Sequence, residues 1–345
     1  MKVIKLNKKN FQKLVEVCSK NWEVWGPVKE GNKHVFKKIV DSIEFDFSYT
    51  RTIIPPKMFF VPPRFNMFRF DRRGYHEELS VTPRIIFGVH PCDIHGILIL
   101  DKLFSLNYRD PYYMERRENT LIIGHSCIPD DKCFCLSTKT HIVEEGFDLF
   151  LTDLGDYYLV WIGSSKGDDL VKVRADIFDE KISMEDIEKY IKWRDWHSKQ
   201  FSLFIDFTAL PDIMELKYND PIWDKIAESC LSCGSCSMVC PTCNCYNVHD
   251  YPDFAKGEGV RVRFWDSCMF KEYSLVAGGH NFRGKRADRL KLWYTHKLQA
   301  YIGQYGKPSC VGCGRCIETC PVEINVKTVA NSLRGEEVEC FWKRI

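Results

Sequence analysis

The pattern C-x-x-C-x-x-C-x-x-x-C-P occurs twice in this chain, at Cys230, Cys233, Cys236 and Cys240 with Pro241, and at Cys310, Cys313, Cys316 and Cys320 with Pro321. Three thiolates at this interval wrap one loop around three corners of an iron–sulfur cube, and the fourth ligand comes from elsewhere. In two-cluster ferredoxins the cysteine before the proline reaches across to the other cube. The spacing therefore predicts one [4Fe–4S] cluster on Cys230, Cys233, Cys236 and Cys320, and a second on Cys310, Cys313, Cys316 and Cys240. Ordinary buried thiols do not explain two identical frames. Zinc is the stronger rival, but structural zinc takes paired C-x-x-C knuckles separated by a spacer, and the third cysteine at the same short interval argues against it.

With 345 residues the chain has material for two domains and a sizeable core. A formal net charge of +2 implies neither a nucleic-acid face nor an anionic membrane partner. The N-terminus is charged without the apolar stretch of a signal peptide, and no apolar run reaches membrane-spanning length, so a soluble, cytoplasmic protein is expected. There, the 17 cysteines would be reduced thiols, and most need a metal or redox role to account for their number.

Cysteine spacing divides the chain near Asp220. Upstream, Ile85–Val89 reads as a buried strand, Asp93–Phe104 as a helix and Leu121–Ile123 as another strand, the rhythm of a βαβ unit. Asp110-Pro111 supplies an N-cap and first-turn proline for a short helix through Arg117. The segment from Phe150 to Gly163 reads as a hairpin turning at Leu154-Gly155-Asp156. Ser183 and Asp186 form a capping box for a helix running toward Gln200, with Ile187, Tyr190 and Ile191 as its apolar stripe. Downstream, Asp220-Pro221 opens a helix that delivers Cys230, and a long helix from Arg286 to Tyr305, stopped by Gly306 and Pro308, leads into the second frame. The fold class expected is α+β: a mixed α/β domain over residues 1–219, then a helical two-cluster ferredoxin domain over residues 220–345.

Cys92 and Cys127 each follow one of the two strands of the βαβ unit. Parallel strands joined by a crossover end at the same sheet edge, where sites are usually built. With Cys133 and Cys135 folding back from the loop after Cys127, these four predict a third [4Fe–4S] cluster. Redox-active thiols and zinc are the alternatives. His90 and His95 flank Cys92 as surroundings rather than ligands. Cys243, Cys245 and Cys268 fall between the frames; with His249 or His280 they could make a further site, but lining the cluster pocket is the plainer expectation. Cys18 and Cys340 read as structural. The stretch Gly163-Ser164-Ser165-Lys166-Gly167 reads as a turn, because it lacks phosphate-loop spacing. Arg283, Lys285, Arg286, Arg289 and Lys291 read as a solvated helix face, with docking to an acidic partner subunit as the alternative. There is no dinucleotide fingerprint, serine elbow or zinc-protease helix, so no flavin or nucleotide is expected on this chain.

Several stretches carry a family likeness: Gly88-Val89-His90-Pro91-Cys92-Asp93-Ile94-His95-Gly96-Ile97, Asp110-Pro111-Tyr112-Tyr113, Arg116–Leu121, Cys133-Phe134-Cys135 and Thr152-Asp153-Leu154-Gly155, then Ser232–Cys236, Val239–Cys243, Trp265–Cys268 and Gly278–Arg283. Over roughly Arg84 to Ile324 the chain resembles the iron–sulfur beta subunit of soluble archaeal sulfhydrogenases, and is similar to the related A subunit of anaerobic sulfite reductases. The resemblance implies a relay without a catalytic centre of its own. A flavoprotein subunit would accept a hydride from a nicotinamide cofactor, and this chain would pass single electrons between it and catalytic subunits, a nickel hydrogenase or a siroheme sulfite reductase. An iron–sulfur or thiol enzyme acting directly on sulfur compounds is the alternative.

Overall fold

In a computed structural model describing residues 2–344, twelve strands fall into two sheets. The strands are β1 (Lys2–Asn7), β2 (Glu23–Glu30), β3 (Lys33–Lys38), β4 (Arg64–Asp71), β5 (Gly74–Glu77), β6 (Arg84–Val89), β7 (Thr120–His125), β8 (Leu149–Asp153), β9 (Tyr157–Ile162), β10 (Phe178–Asp179), β11 (Tyr246–Asp253) and β12 (Glu258–Trp265). The large sheet runs β10-β1-β9-β8-β7-β6-β2-β3, parallel from β2 through β6 and β7 to β8 and antiparallel outside that block. The small sheet, β11-β12-β4-β5, is antiparallel throughout and takes two strands from each side of residue 220.

The apolar runs of β6 and β7 are explained by burial on both faces, which removes the usual alternation with polar residues. Ile85, Phe87, Leu121 and Ile123 join one core, closed by the helix Phe11–Cys18. Ile86 and Ile122 point the other way, into a core shared with Ile94, Ile97 and Leu100 of the helix Pro91–Ser105. That helix is the crossover from β6 to β7, so both strands end at one edge. The short helix Pro111–Glu118 starts where expected, with the Asp110 carboxylate accepting from Tyr113 N at 2.9 Å. The hairpin of β8 and β9 and the capping box at Ser183 also form.

Two local expectations change. On the helix Met184–Lys199, Tyr190 of the expected stripe packs with Trp193 and His197, whereas Ile187 and Ile191 are 41% and 60% exposed. The Gly163–Gly167 stretch is a helix start, not a plain turn: Ser164 Oγ accepts from Gly167 N and caps Ser165–Val173.

Helices dominate beyond residue 220. Ile222–Ser229 packs on Arg286–Thr295, around Trp223, Ile226, Leu290 and Trp293. The long helix expected to reach Tyr305 does so through a π-helical turn at His296–Ala300, and stops at Gly306 with φ +77°. Between the frames the chain also makes the hairpin of β11 and β12, whose inner strand pairs with β4.

Candidate iron–sulfur sites

Cys230 caps the helix Ile222–Ser229, and Cys233 and Cys236 follow around the turn into the helix Ser235–Met238. Cys320 closes the helix Arg315–Thr319 of the other frame, yet it lines the same hollow as Cys230, Cys233 and Cys236. Met269, Leu290, Trp293 and Tyr294 supply the apolar wall. Main-chain N–H groups turn toward the sulfurs: Ser232 N donates to Cys230 Sγ at 3.4 Å, and Val322 and Ile324 to Cys320. Burial, then the neighbouring thiols, push the Cys236 thiol far above its ordinary value. Clustered thiolates in a dry site repel one another, and an iron core of opposite charge removes that penalty.

The second set shows the reciprocal crossing. Burial raises Cys316, and the charges nearest it are Cys310, Cys313 and Cys240. Burial also pushes Cys310 up to about 12, with Gly312 N–H opposing and Cys240 adding to the rise. The Cys310–Cys316 loop is fastened to the N-terminal region: Phe134 N donates to Gly312 O at 2.9 Å, and Thr140 Oγ1 to Val311 O at 2.7 Å. Gly312 has φ +64°, and a Cβ there would lie 2.6 Å from Cys135 N, so only glycine permits this approach.

Cys92, Cys127, Cys133 and Cys135 come together at the common edge of β6 and β7, around a hollow also reached by Cys313. Cys135 Sγ donates to Gly312 O at 3.2 Å, and its thiol is raised by the neighbouring Cys133 and Cys92 thiols and by burial. Two arginines missed in the sequence surround this set. Arg51 bonds Asp130, Cys133 Sγ at 3.2 Å and Cys313 O at 3.2 Å. Arg315 is 2% exposed and forks onto Asp93 at 2.6 and 2.8 Å, with its Nε on Thr52 O at 2.8 Å. Burial opposes both charges, but Asp130 and Asp93 hold the guanidiniums firmly protonated. His90 Nδ1 faces Thr50 O at 3.2 Å and His95 Nε2 faces Ile142 O at 2.8 Å.

The three cysteines between the frames do more than line a pocket. Cys243 contacts Cys240, and Cys245 contacts both Cys268 and the Tyr273 hydroxyl. Lys297 and Lys57, 5% and 3% exposed, lie among them. Lys297 Nζ donates to Thr242 Oγ1 at 2.8 Å, and Lys57 Nζ to Cys243 O at 3.0 Å while lying 4.2 Å from the centre of the Trp265 ring. Burial lowers the Lys57 pKa; for Lys297 burial is outweighed by Cys240 and Cys243, which raise it. The imidazoles of His249 and His280 pack edge-on against Phe264 and Phe282. No signal in the sequence distinguishes Lys57 or Lys297 from solvated lysines, because each is isolated from the cysteines it meets.

The basic stretch after residue 283 is also reassigned. Arg289 is 5% exposed and donates to Met269 O, Arg283 O, Gly284 O and Ser232 Oγ, while Arg286 Nη1 donates to Cys230 O at 2.6 Å. Arg289 thus braces the first frame from inside, and Arg286, though exposed, ties onto it through Cys230 O. Cys18 is fully buried in the sheet core, its thiol pushed up to about 12 by burial, and Cys340 bonds Ser229 at 3.3 Å.

The donor sets fit iron–sulfur clusters: four thiolates each, apolar walls and main-chain N–H groups aimed at sulfur. Among the described residues no three His, Cys, Asp or Glu side chains converge closely enough to hold a single metal ion. No helix among the described residues is long and apolar enough to cross a membrane. Residues 229–324 match a family model described as a 4Fe-4S dicluster domain. Over 334 residues, 97% of this chain and 99% of the relative, the sequence is 41% identical to the sulfhydrogenase 2 subunit beta of Pyrococcus furiosus.

Proposed function

We propose, on the premise that the chain belongs to the family of sulfhydrogenase beta subunits, that it is the iron–sulfur relay of an oxidoreductase complex, carrying single electrons between a flavoprotein subunit and catalytic subunits of the hydrogenase type. The observation that carries this reading is the crossed arrangement of the two frames, with Cys320 beside Cys230, Cys233 and Cys236, and Cys240 beside Cys310, Cys313 and Cys316. These eight residues are assigned as ligands of two [4Fe–4S] clusters, and Cys92, Cys127, Cys133 and Cys135 as ligands of a third. When bound, such clusters take up one electron at a time with little change in geometry.

The protein's own residues keep that transfer cheap. Apolar walls exclude water, N–H groups fix the sulfurs, and buried cations offset the negative charge of thiolate sets. The order of the sets also supports a wire. Cys316 feels the charge of Cys236, and Cys313 feels that of Cys92 and lines the same hollow, which supports a second set lying between the first and third. Its assignment to a hydrogenase rather than a siroheme sulfite reductase rests on the named relative.

Anaerobic preparation followed by iron and acid-labile sulfide analysis tests this reading. Roughly eight to twelve irons per chain are expected, four per cubane; four or fewer would refute it. Contact between Cys245 and Cys268 favours one second reading, a thiol centre acting directly on sulfur compounds. It requires turnover by the isolated chain with an artificial electron donor, and complete inactivity without partners would count against it.

A further inference from the structure

The two cysteine frames are built alike but end in different surroundings. In both, the third and fifth positions hold the backbone in the left-handed region: Ser232 and Gly234 at φ +52° and +74°, Gly312 and Gly314 at φ +64° and +74°. The second position is apolar in both, Leu231 and Val311. In the second frame this loop is covered by the N-terminal region, so Val311 is 3% exposed and its carbonyl accepts from Thr140 Oγ1. In the first frame the matching surface is bare among the described residues. Leu231 is 51% exposed, and Cys233 is the one exposed cysteine of the 17 in the chain. A loop tip that is buried against protein in one frame and left open in its twin marks the first set as the end of the relay that meets a partner.

The neighbouring loop extends this bare surface. Arg289 donates to Ser232 Oγ and to the carbonyls of Arg283 and Gly284, which fastens the end of the 270–284 loop beside the first frame. At the start of that loop the Phe270 ring lies against Gly234, where a Cβ would come within 2.6 Å of it. Between these ends a bridge pairs Leu275 with Asn281, and the turn presents Leu275, Val276 and Phe282 to solvent, the last 70% exposed. Lys271, Arg283, Lys285 and Arg286 surround them, against the single acid Glu272 in the 270–286 stretch. None of these four cations has an ion-pair partner among the described residues, whereas exposed cations elsewhere do pair, as Lys172 with Asp168 and Arg261 with Asp250. An apolar centre inside a charged rim is the anatomy of a protein docking site, and a rim of unpaired cations calls for carboxylates opposite.

We propose that the face formed by Leu231, Cys233 and the 270–286 loop docks a separate redox protein through an acidic surface with an apolar centre, and that electrons enter or leave the chain at the first cysteine set. The inference rests on the relay reading and adds to it which end meets the partner and by what chemistry. A second copy of this chain fits the face less well, because a two-fold contact would lay the same unpaired cations against one another. The docking alternative for the basic stretch thus holds for its exposed members, while Arg289 serves the interior.

The test is anaerobic stopped-flow oxidation of the full chain by flavodoxin, an acidic protein, after the clusters have been reduced with dithionite and the excess removed. One electron leaves a reduced cluster, which returns to its oxidised state, and reaches the flavin together with one proton from solvent. The second-order rate constant should fall by about tenfold or more between roughly 0.05 and 0.5 M salt, and Lys271→Glu combined with Lys285→Glu should cost about tenfold at the lower salt. Phe282→Ser should slow the reaction by about threefold or more while leaving its salt dependence in place. Duroquinone is small and uncharged and needs no docking, so its reduction rate should be the same in every variant, which also reports intact clusters and fold. A flavodoxin rate that stays within about twofold across salt and variants, with duroquinone reduced normally, would overturn the proposal. So would a dimer in sedimentation that Phe282→Ser dissolves, since a second copy would then hold the face. A chain that cannot reduce duroquinone and carries too little iron refutes the relay reading and the docking face with it.

Discussion

Replacing Lys297 with methionine removes a buried charge while keeping an unbranched apolar stem. The ammonium lies 2.8 Å from Thr242 Oγ1, and that hydroxyl lies 3.3 Å from Cys240 Sγ, so the charge is no more than about 6 Å from a sulfur assigned to the second cluster. An added electron is spread over the cube, and about 8 Å is a fair separation from its centre. At an effective dielectric constant of about 20, a unit charge at that range is worth about 2 kcal/mol, or about 90 mV for one electron. Relaxation and water entry reduce this, so Lys297→Met should lower the potential of that cluster by about 50–100 mV. Potentiometric titration followed by electron paramagnetic resonance resolves the clusters individually. The site holding Cys92 should move by less than half as much, and Lys297→Arg should restore most of the wild-type potential. A shift below about 20 mV, or an equal shift at every cluster, would refute the placement of Lys297 charge beside Cys240.

Other outcomes follow from the same geometry. Burial depresses the Lys57 pKa, so this ammonium loses its proton earlier than an ordinary lysine as pH rises; losing a positive charge beside Cys243 lowers the local potential, and potentiometry should show a downward step with rising pH that Lys57→Met abolishes. Asp93→Asn leaves the buried Arg315 guanidinium without its counter-charge and should cost about 3–5 kcal/mol, read as a lower urea midpoint, with Asp93→Leu combined with Arg315→Met recovering most of the loss. An unchanged midpoint in the single variant would mean that the ion pair is hydrated. Gly312→Ala drives a Cβ into the Phe134-Cys135 peptide, and iron analysis should show loss from the second and third sites with the first retained; full iron content would contradict the tight docking of the two loops.

The parts of this architecture that were legible share one property: their signal is local and periodic. Two identical cysteine frames carry their own spacing, and the strands on either side of the crossover announce themselves as apolar runs because both of their faces are buried. Even the third thiol set could be read, since the topology of a βαβ unit brings Cys92 and Cys127 to one edge. What escaped were single residues whose meaning depends on remote partners. Asp93 is separated from Arg315 by 222 positions, and Arg51 from Cys313 by 262. The stripe of the Met184–Lys199 helix was misplaced for a related reason. Hydrophobicity favours Ile187 and Ile191, but this helix packs by its rings and leaves both isoleucines exposed. The hairpin of β11 and β12 is not evident in the sequence because β11 is largely polar and edge-exposed, and β12 gains its place by pairing with β4, from the other half of the chain.

That pairing explains how a relay can tolerate so long an insert between its frames. A compact two-cluster ferredoxin needs only a short link, and extra residues in a loose loop would let the two halves of the crossed ligand set drift apart. Here the insert is tied down at both ends. The hairpin is stitched through β12 onto β4, Trp265 Nε1 donates to Val61 O at 2.8 Å, and the following helix returns through Arg289 to the first frame. The second frame is held in turn by Arg315, Arg51 and the Gly312 contact against the N-terminal region. Distances between the cysteine sets are therefore governed by two buried charge networks and a sheet rather than by the ferredoxin module alone. Electron transfer depends steeply on such distances, which gives buried arginines that touch no substrate a reason to be kept despite their desolvation cost.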